Sequence, residues 1–310
     1  MTVSPVAVTG ASGFVGRRLV ETLVGRGLAV RALVRRPDAQ LASAGVELVP
    51  GGLADPGALR SLVIGARAVI HCAGVVAAAD PAEFRRVNVD GTAAVLAALP
   101  AGTPLVHVSS LSAREPRLSA YAASKQAAEA LALARRDGPV AVVRPPAVYG
   151  PGDRATLPLF QQMAKGFLVT PAPASARFSL VYVADLAALL ADLVLAPPRS
   201  GSVLEPSDRR PGGYGWQDLA SIAGEAQRRP VRLVRLPAGA LRPVALAIET
   251  AAGWRGKVPM LSRDKLRELC HPDWVCRDDG DEALAGTRPA VQFREGFTET
   301  VAWYRRRGWL

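Results

Sequence analysis

The chain is 310 residues long and 49% hydrophobic, with 38 basic and 27 acidic side chains and a formal net charge of +11. That length and apolar content bury a large core in one or two domains, and no apolar run reaches the roughly 18 residues that span a bilayer. Only four of the basic residues are lysines (125, 165, 257 and 265), and the arginines are spread without an aromatic-interleaved patch, so no nucleic-acid partner is expected.

A β-branched run with apolar residues at Val3, Val6 and Val8 reads as a buried strand. Glycines follow at 10, 13 and 16, and Leu19, Val20, Leu23 and Val24 then recur at helical spacing. Strand, glycine-rich turn and helix form a dinucleotide-binding context: Gly10 makes the tight turn, Gly13 lets backbone approach a pyrophosphate, and Gly16 packs helix on strand. A second strand over 28–34 ends in Arg35-Arg36, and a third covers 46–49. Asp55-Pro56 starts a helix, a fourth strand covers 68–71, and 81–99 reads as one helix. A fifth strand over 105–109, an Ala-rich helix over 120–136 and a strand over 140–143 complete the alternation. Such alternation predicts an α/β fold, a doubly wound parallel sheet of Rossmann type covered on both faces.

From Arg144 the pattern breaks into a loop-rich region with a short helix over 157–165. Regular pattern returns as a strand over 178–183 and a helix over 185–195, both expected to rejoin the main sheet. Shorter helices around one strand at 231–236 follow, and 293–310 is an amphipathic closing helix. The expected division is a nucleotide-binding domain over 1–150 and 178–206, with a smaller, discontinuous substrate-binding cap over 151–177 and 207–310. The apolar stretch 241–254 is read as a helix packed in the cap, with peripheral membrane contact as the alternative. Cys72, Cys270 and Cys276 give neither a disulfide frame nor a spacing that holds a metal with His271. The early first strand leaves no room for a signal peptide, and the chain is expected in the cytoplasm as a monomer or homodimer.

Tyr121 and Lys125 lie four residues apart at the start of a helix, hence on one face. A neighbouring ammonium favours the phenolate, and a shift of two pKa units corresponds to roughly 2.7 kcal/mol, which suits Tyr121 to proton transfer with a carbonyl/alcohol pair. Ser109 and Ser110 end the fifth strand, where ligands bind in parallel sheets, and a hydroxyl there holds a substrate oxygen.

Together, Thr-Gly-Ala-Ser-Gly-Phe-Val-Gly at 9–16, Ser109-Ser110 and Tyr121-x3-Lys125 resemble the extended short-chain dehydrogenase/reductase superfamily. Closest in pattern are its dihydroflavonol-reductase-like and 3β-hydroxysteroid-dehydrogenase-like members. His71-Cys72-Ala73-Gly74, Asn88-Val89-Asp90-Gly91-Thr92, the run from Arg144 to Gly152 and Val181-Tyr182-Val183-Ala184-Asp185 match further landmarks, and the likeness covers essentially the whole chain. It implies Ser110, Tyr121 and Lys125 as the catalytic set, with Ser109 or Ser112 as the fallback serine. It also implies a cofactor site made of Gly10, Ser12, Gly13, Phe14, Val15, Gly16, Arg35, Arg36, Leu53, Cys72, Ala73, Gly74, Tyr121, Lys125, Pro145 and Val148.

Two guanidiniums after the second strand suit a 2′-phosphate, so NADP is expected rather than NAD. Gly52 stands where relatives often carry Asp, which either removes an adenine contact or hands it to Asp55. Ser110-Leu111-Ser112 lacks the carboxylates of sugar dehydratases, and only ten residues, 111–120, separate serine from tyrosine. The expectation is therefore an NADP-dependent oxidoreductase for a small-molecule ketone of low polarity, such as a 3-oxo lipid or a steroid- or flavonoid-like ketone. A nucleotide-sugar epimerase using the same three residues is the alternative, and a non-catalytic NADP-binding scaffold or redox sensor is the alternative of another class.

Overall fold

The computed structural model describes residues 4–196, 199–254, 262–277 and 290–310. Val3 of the expected first strand, and 255–261 and 278–289 of the expected cap, lie outside the described residues. Strand β1 (Val6–Thr9), helix α1 (Phe14–Gly25), β2 (Val30–Val34), α2 (Ala39–Ser43), β3 (Glu47–Pro50), α3 (Pro56–Val63) and β4 (Ala68–His71) open the chain. There follow α4 (Pro81–Phe84), a π turn over Arg85–Asp90, α5 (Gly91–Ala98), β5 (Leu105–Val108), a 3₁₀ turn over Leu111–Arg114, α6 (Ala120–Leu133) and β6 (Val140–Val143). The second half carries β7 (Ala147–Tyr149), α7 (Leu157–Ala164), β8 (Phe167–Thr170), β9 (Arg177–Phe178), β10 (Leu180–Tyr182), α8 (Val183–Leu195) and β11 (Ser202–Leu204). It closes with α9 (Trp216–Gln227), β12 (Arg232–Arg235), α10 (Ala238–Trp254), α11 (Arg263–Cys270), β13 (Asp273–Trp274) and α12 (Phe293–Arg306).

Seven strands form one parallel sheet in the order β11-β6-β5-β4-β1-β2-β3. Every residue of β1, β4, β5 and β6 is buried, as a parallel sheet with helices on both faces requires. On one face α1 and α8 pack through Leu19, Leu23, Leu186 and Leu190; on the other Leu59, Leu62, Val95 and Ala132 seal the sheet beneath α3, α5 and α6. Strand order reverses between β1 and β4, and the crevice beyond their carboxyl ends is where such sheets take ligands.

The expectation for 178–183 is corrected. Leu180–Tyr182 pairs with Ala147–Tyr149 in a separate two-stranded parallel ribbon, and the edge beside β6 is taken by Ser202–Leu204. The physical reason is side-chain partition: Phe178 and Tyr182 belong to a separate aromatic core, where the Tyr182 and Tyr149 ring centroids are 5.5 Å apart. That core also takes Phe160, Tyr214, Phe293, Phe297 and Tyr304. The expected single helix at 81–99 contains the π turn, which carries Asn88 into the interior. Its side chain accepts from the Val75 amide at 2.8 Å and donates to the Val75 carbonyl at 3.0 Å and to Ser124 Oγ at 2.9 Å. Among the described residues no helix is long and apolar enough to cross a membrane.

Candidate active site

Gly10 adopts φ +74°, and a Cβ there would lie 2.7 Å from the Ala73 amide nitrogen. A Cβ at Gly16 would lie 2.0 Å from the Gly10 carbonyl oxygen. Backbone thus fills the space that any side chain would need, and the turn from β1 into α1 closes tightly only with glycine. Gly13 caps α1 without a side chain, no acidic residue occupies the first turn, and Ser12 and Gly13 are exposed. The first N–H groups of α1 therefore point outward with the positive end of the helix dipole, an arrangement that fits a pyrophosphate. Phe14 and Val15 are half-buried behind them.

Arg35 and Arg36 are exposed just past the end of β2, and neither forms an ion pair among the described residues. The acid nearest in sequence, Asp38, is held by Arg17 at 2.7 Å and caps α2. Leu53 packs against Gly91, where a Cβ would come within 2.6 Å of its Cδ1. The Asp55 carboxylate caps α3 through Oδ1, accepting from Gly57 and Ala58 at 2.9 and 3.0 Å. After β4, Cys72 and Ala73 hang from Thr9, whose Oγ1 accepts from the Ala73 amide at 3.2 Å. Exposed Gly74 lies between Asn88 and Lys125. Buried Pro145 accepts from the Leu111 amide at 2.9 Å, which fixes the segment carrying Ser110, and half-buried Val148 follows in β7. The arginines and Leu53 lie at the β2–β3 side of the sheet, and the serine, tyrosine and lysine at the β5–α6 side.

Ser119 caps α6, accepting from the Ala122 amide at 2.9 Å, and so places Tyr121 in the first turn and Lys125 one turn later. Ser110, 8% exposed, stands in extended backbone immediately beyond β5, where its Oγ accepts from the Ser112 amide at 3.2 Å and lies near enough to the Tyr121 hydroxyl to act on its titration. Of the two fallback serines, Ser109 is engaged away from Tyr121. Ser109 Oγ donates to Glu129 at 3.0 Å, within a network in which Arg144 bridges Glu129 and Glu205, and Ser112 belongs to the 3₁₀ turn. Lys125 Nζ donates to the Val108 carbonyl at 2.8 Å.

Burial sets the electrostatics of this cluster. The Tyr121 phenol is pushed up to about 12, first by desolvation, with Ser110 opposing and the Glu268 carboxylate adding to the rise. Burial likewise brings the Lys125 ammonium down to about 8, against the attraction of Cys72 and Glu129. This corrects the sequence expectation that the ammonium stabilises a phenolate: desolvation of the hydroxyl is the larger effect, and the tyrosine stays a protonated donor.

Two acids missed in the sequence reading complete the site's frame. Glu268 of α11 accepts from Ser119 Oγ, and Asp264 accepts from the Ala120 amide at 2.9 Å, so α11 closes the N-terminus of the helix that carries Tyr121. No local signal marks them, because their partners lie about 150 residues earlier.

The family model described as the NAD dependent epimerase/dehydratase family matches residues 6–203. A ceramide reductase of Caulobacter vibrioides is 39% identical over 98% of this chain and 96% of its own length. A 2-alkyl-3-oxoalkanoate reductase of Stenotrophomonas maltophilia is 34% identical over 96% of this chain and 98% of its own length. Among solved structures, the one titled crystal structure of gox2253 superposes with a TM-score of 0.74 at 24% identity, covering 99% of both chains. The glycine turn, the sheet order and these likenesses converge: the chain belongs to the NAD-dependent epimerase/dehydratase family of extended short-chain dehydrogenases/reductases, and is an NAD(P)-dependent oxidoreductase.

Proposed function

We propose that this protein reduces the keto group of a long-chain, largely apolar substrate, a 3-oxo lipid, with NADPH. The observation that carries the reading is the Tyr121 phenol, one helical turn from Lys125 at the start of α6, near Ser110 beyond β5 and held protonated by burial. Reduction of a ketone needs a proton donor at the carbonyl oxygen, and a phenol near 12 is charged with its proton throughout the neutral range. Ser110 positions that oxygen, and Tyr121 Oη delivers the proton to it. Bound NADPH supplies the hydride. Lys125 reaches across the floor of the site beside Cys72 and Gly74, and we assign it to holding the nicotinamide ribose. Two exposed arginines beyond β2 and a pre-engaged Asp38 support NADPH over NADH, because a 2′-phosphate is matched by guanidiniums and a bare ribose diol by a free carboxylate. The short connection from Ser110 to Tyr121 and the relatives named for ceramide and 2-alkyl-3-oxoalkanoate reduction support a lipid substrate.

The test is net consumption of NADPH by the purified protein with a long-chain 3-ketone presented in detergent micelles. Stoichiometric oxidation of NADPH and formation of the secondary alcohol are expected. Conversion of a nucleotide sugar with no net change in cofactor, and no reaction with the ketone, would replace this reading with the epimerase one.

A further inference from the structure

Among the described residues, consecutive elements in the second half of the chain expose a basic and apolar surface. In the β8–β12 ribbon, Phe167 pairs in register with Arg232 and Val169 with Val234, so these four side chains share one face. The opposite face, with Leu168 and Leu233, packs into the aromatic core against α7 and α9. On the outward face Phe167 is 37% and Val234 41% exposed, and Leu236, just beyond the strand, is 38% exposed. Two residues later α10 begins. Its inner side is fixed by buried Ala245 and by Glu249, which pairs with Arg263 of α11 at 2.8 Å. Its outer side exposes Gly239, Ala240, Pro243, Leu246, Ala247 and Thr250, a helical stripe without a charge, and Leu246 is 48% exposed.

The charge around this surface has one sign. Arg232 shares the face of Phe167 and Val234, and Arg228 and Arg229 precede the strand; all three are exposed and form no ion pair among the described residues, and no acidic residue lies between Arg228 and Ile248. Surfaces of this kind on a protein of net charge +11 match a layer that is anionic outside and apolar beneath. We infer that the β12–α10 segment seats the protein on an anionic lipid bilayer, with α10 lying in the interface plane and the arginines on the headgroups. At 17 residues α10 is suited to lie in that interface, not to cross it. The seat is joined to the site through α11, which packs on α10 and whose Asp264 and Glu268 close the helix of Tyr121. The inference deepens the proposed function, since a lipid ketone is met in a membrane.

Vesicle binding tests it without turnover, so failure of the ketone assay and failure of this inference are read separately. The full-length protein is sedimented with vesicles of phosphatidylcholine alone and of phosphatidylcholine mixed with phosphatidylglycerol, at low and high salt. Binding to the anionic vesicles, weakened by salt and weak on the neutral ones, is expected. Arg229→Gln and Arg232→Gln should each lower the partition constant about fivefold, and Leu246→Ser roughly tenfold. All three leave the thermal melting and the turnover of a short, water-soluble ketone unchanged. Equal binding to neutral and anionic vesicles, no binding to either, or unaltered binding by the variants overturns the inference. So does a concentration-dependent dimer that Leu246→Ser dissociates, which would assign the surface to a second copy of the chain.

Discussion

Lys125 Nζ donates to the carbonyl oxygen of Val108, the last residue of β5, at 2.8 Å. A charge buried beneath the strand end is costly, because the one carbonyl it meets and the attraction of Cys72 and Glu129 do not replace its hydration. Burial brings the ammonium to about 8 in the folded protein from an ordinary 10.5. The sign follows from proton counting. Between about 8 and 10.5 the unfolded chain binds the proton and the folded one does not, so stability rises with pH across that window and is reduced below it.

Lys125→Met is accordingly expected to melt higher than the parent at neutral pH, by on the order of 3 kcal/mol if no other contact changes. It should lose at least about a hundredfold in turnover. Paired thermal melts and rate measurements check it, and a variant both less stable and active would contradict the assignment.

Tyr121→Phe should lower turnover by roughly 10²–10⁴-fold while NADPH affinity, read by quenching of intrinsic fluorescence, stays within about threefold. In the parent, alcohol oxidation requires the phenolate and should climb with pH toward about 12. Ketone reduction should not depend on this group between neutral pH and that limit. The slope of log rate against pH in the two directions is the measurement.

The 2′-phosphate assignment predicts that Arg35→Ser together with Arg36→Ser raises the KM for NADPH at least about tenfold. The KM for NADH should change little. Equal effects on both cofactors would place the guanidiniums away from the adenosine ribose.

Acid sensitivity should originate in the sheet. His71 is 1% exposed and held between Thr9 at 2.7 Å and Thr92 at 3.0 Å, and burial brings it down to about 3. His107, in the neighbouring strand with ring centroids 5.4 Å apart, is also pushed well below 6.5, and neither of its nitrogens has a hydrogen-bond partner. Both histidines fold neutral, so their contribution is complete above pH 6.5 and is lost as pH falls below it, for His71 toward about 3. His107→Leu removes one such group together with two unpaired polar atoms. The midpoint of acid unfolding should move to lower pH, with stability at neutral pH equal or higher.

The nucleotide half was legible because its signals are local. Val6–Thr9, the three glycines and the helical spacing after them lie within 20 residues, and each residue type is forced by backbone geometry at that point. Tyr121 and Lys125 were legible for the same reason, being one helical turn apart. The Tyr121 protonation state was not, since it depends on desolvation by the assembled fold and on a carboxylate from α11. Nor was the edge strand β11, whose three residues, Ser202–Leu204, are too few to set a period. The strand at 180–182 had the right pattern and the wrong sheet, because pairing partners are chosen by where Phe178 and Tyr182 find other rings.

The acids that close the tyrosine helix come from Asp264 and Glu268, far along the chain from Ser119 and Ala120. A ribosome releasing this protein therefore completes the whole central sheet well before it delivers the groups that fasten its reactive end. A chain cut after β11 would hold every strand of the sheet and the glycine turn, and would lack the carboxylates that fasten the start of the Tyr121 helix.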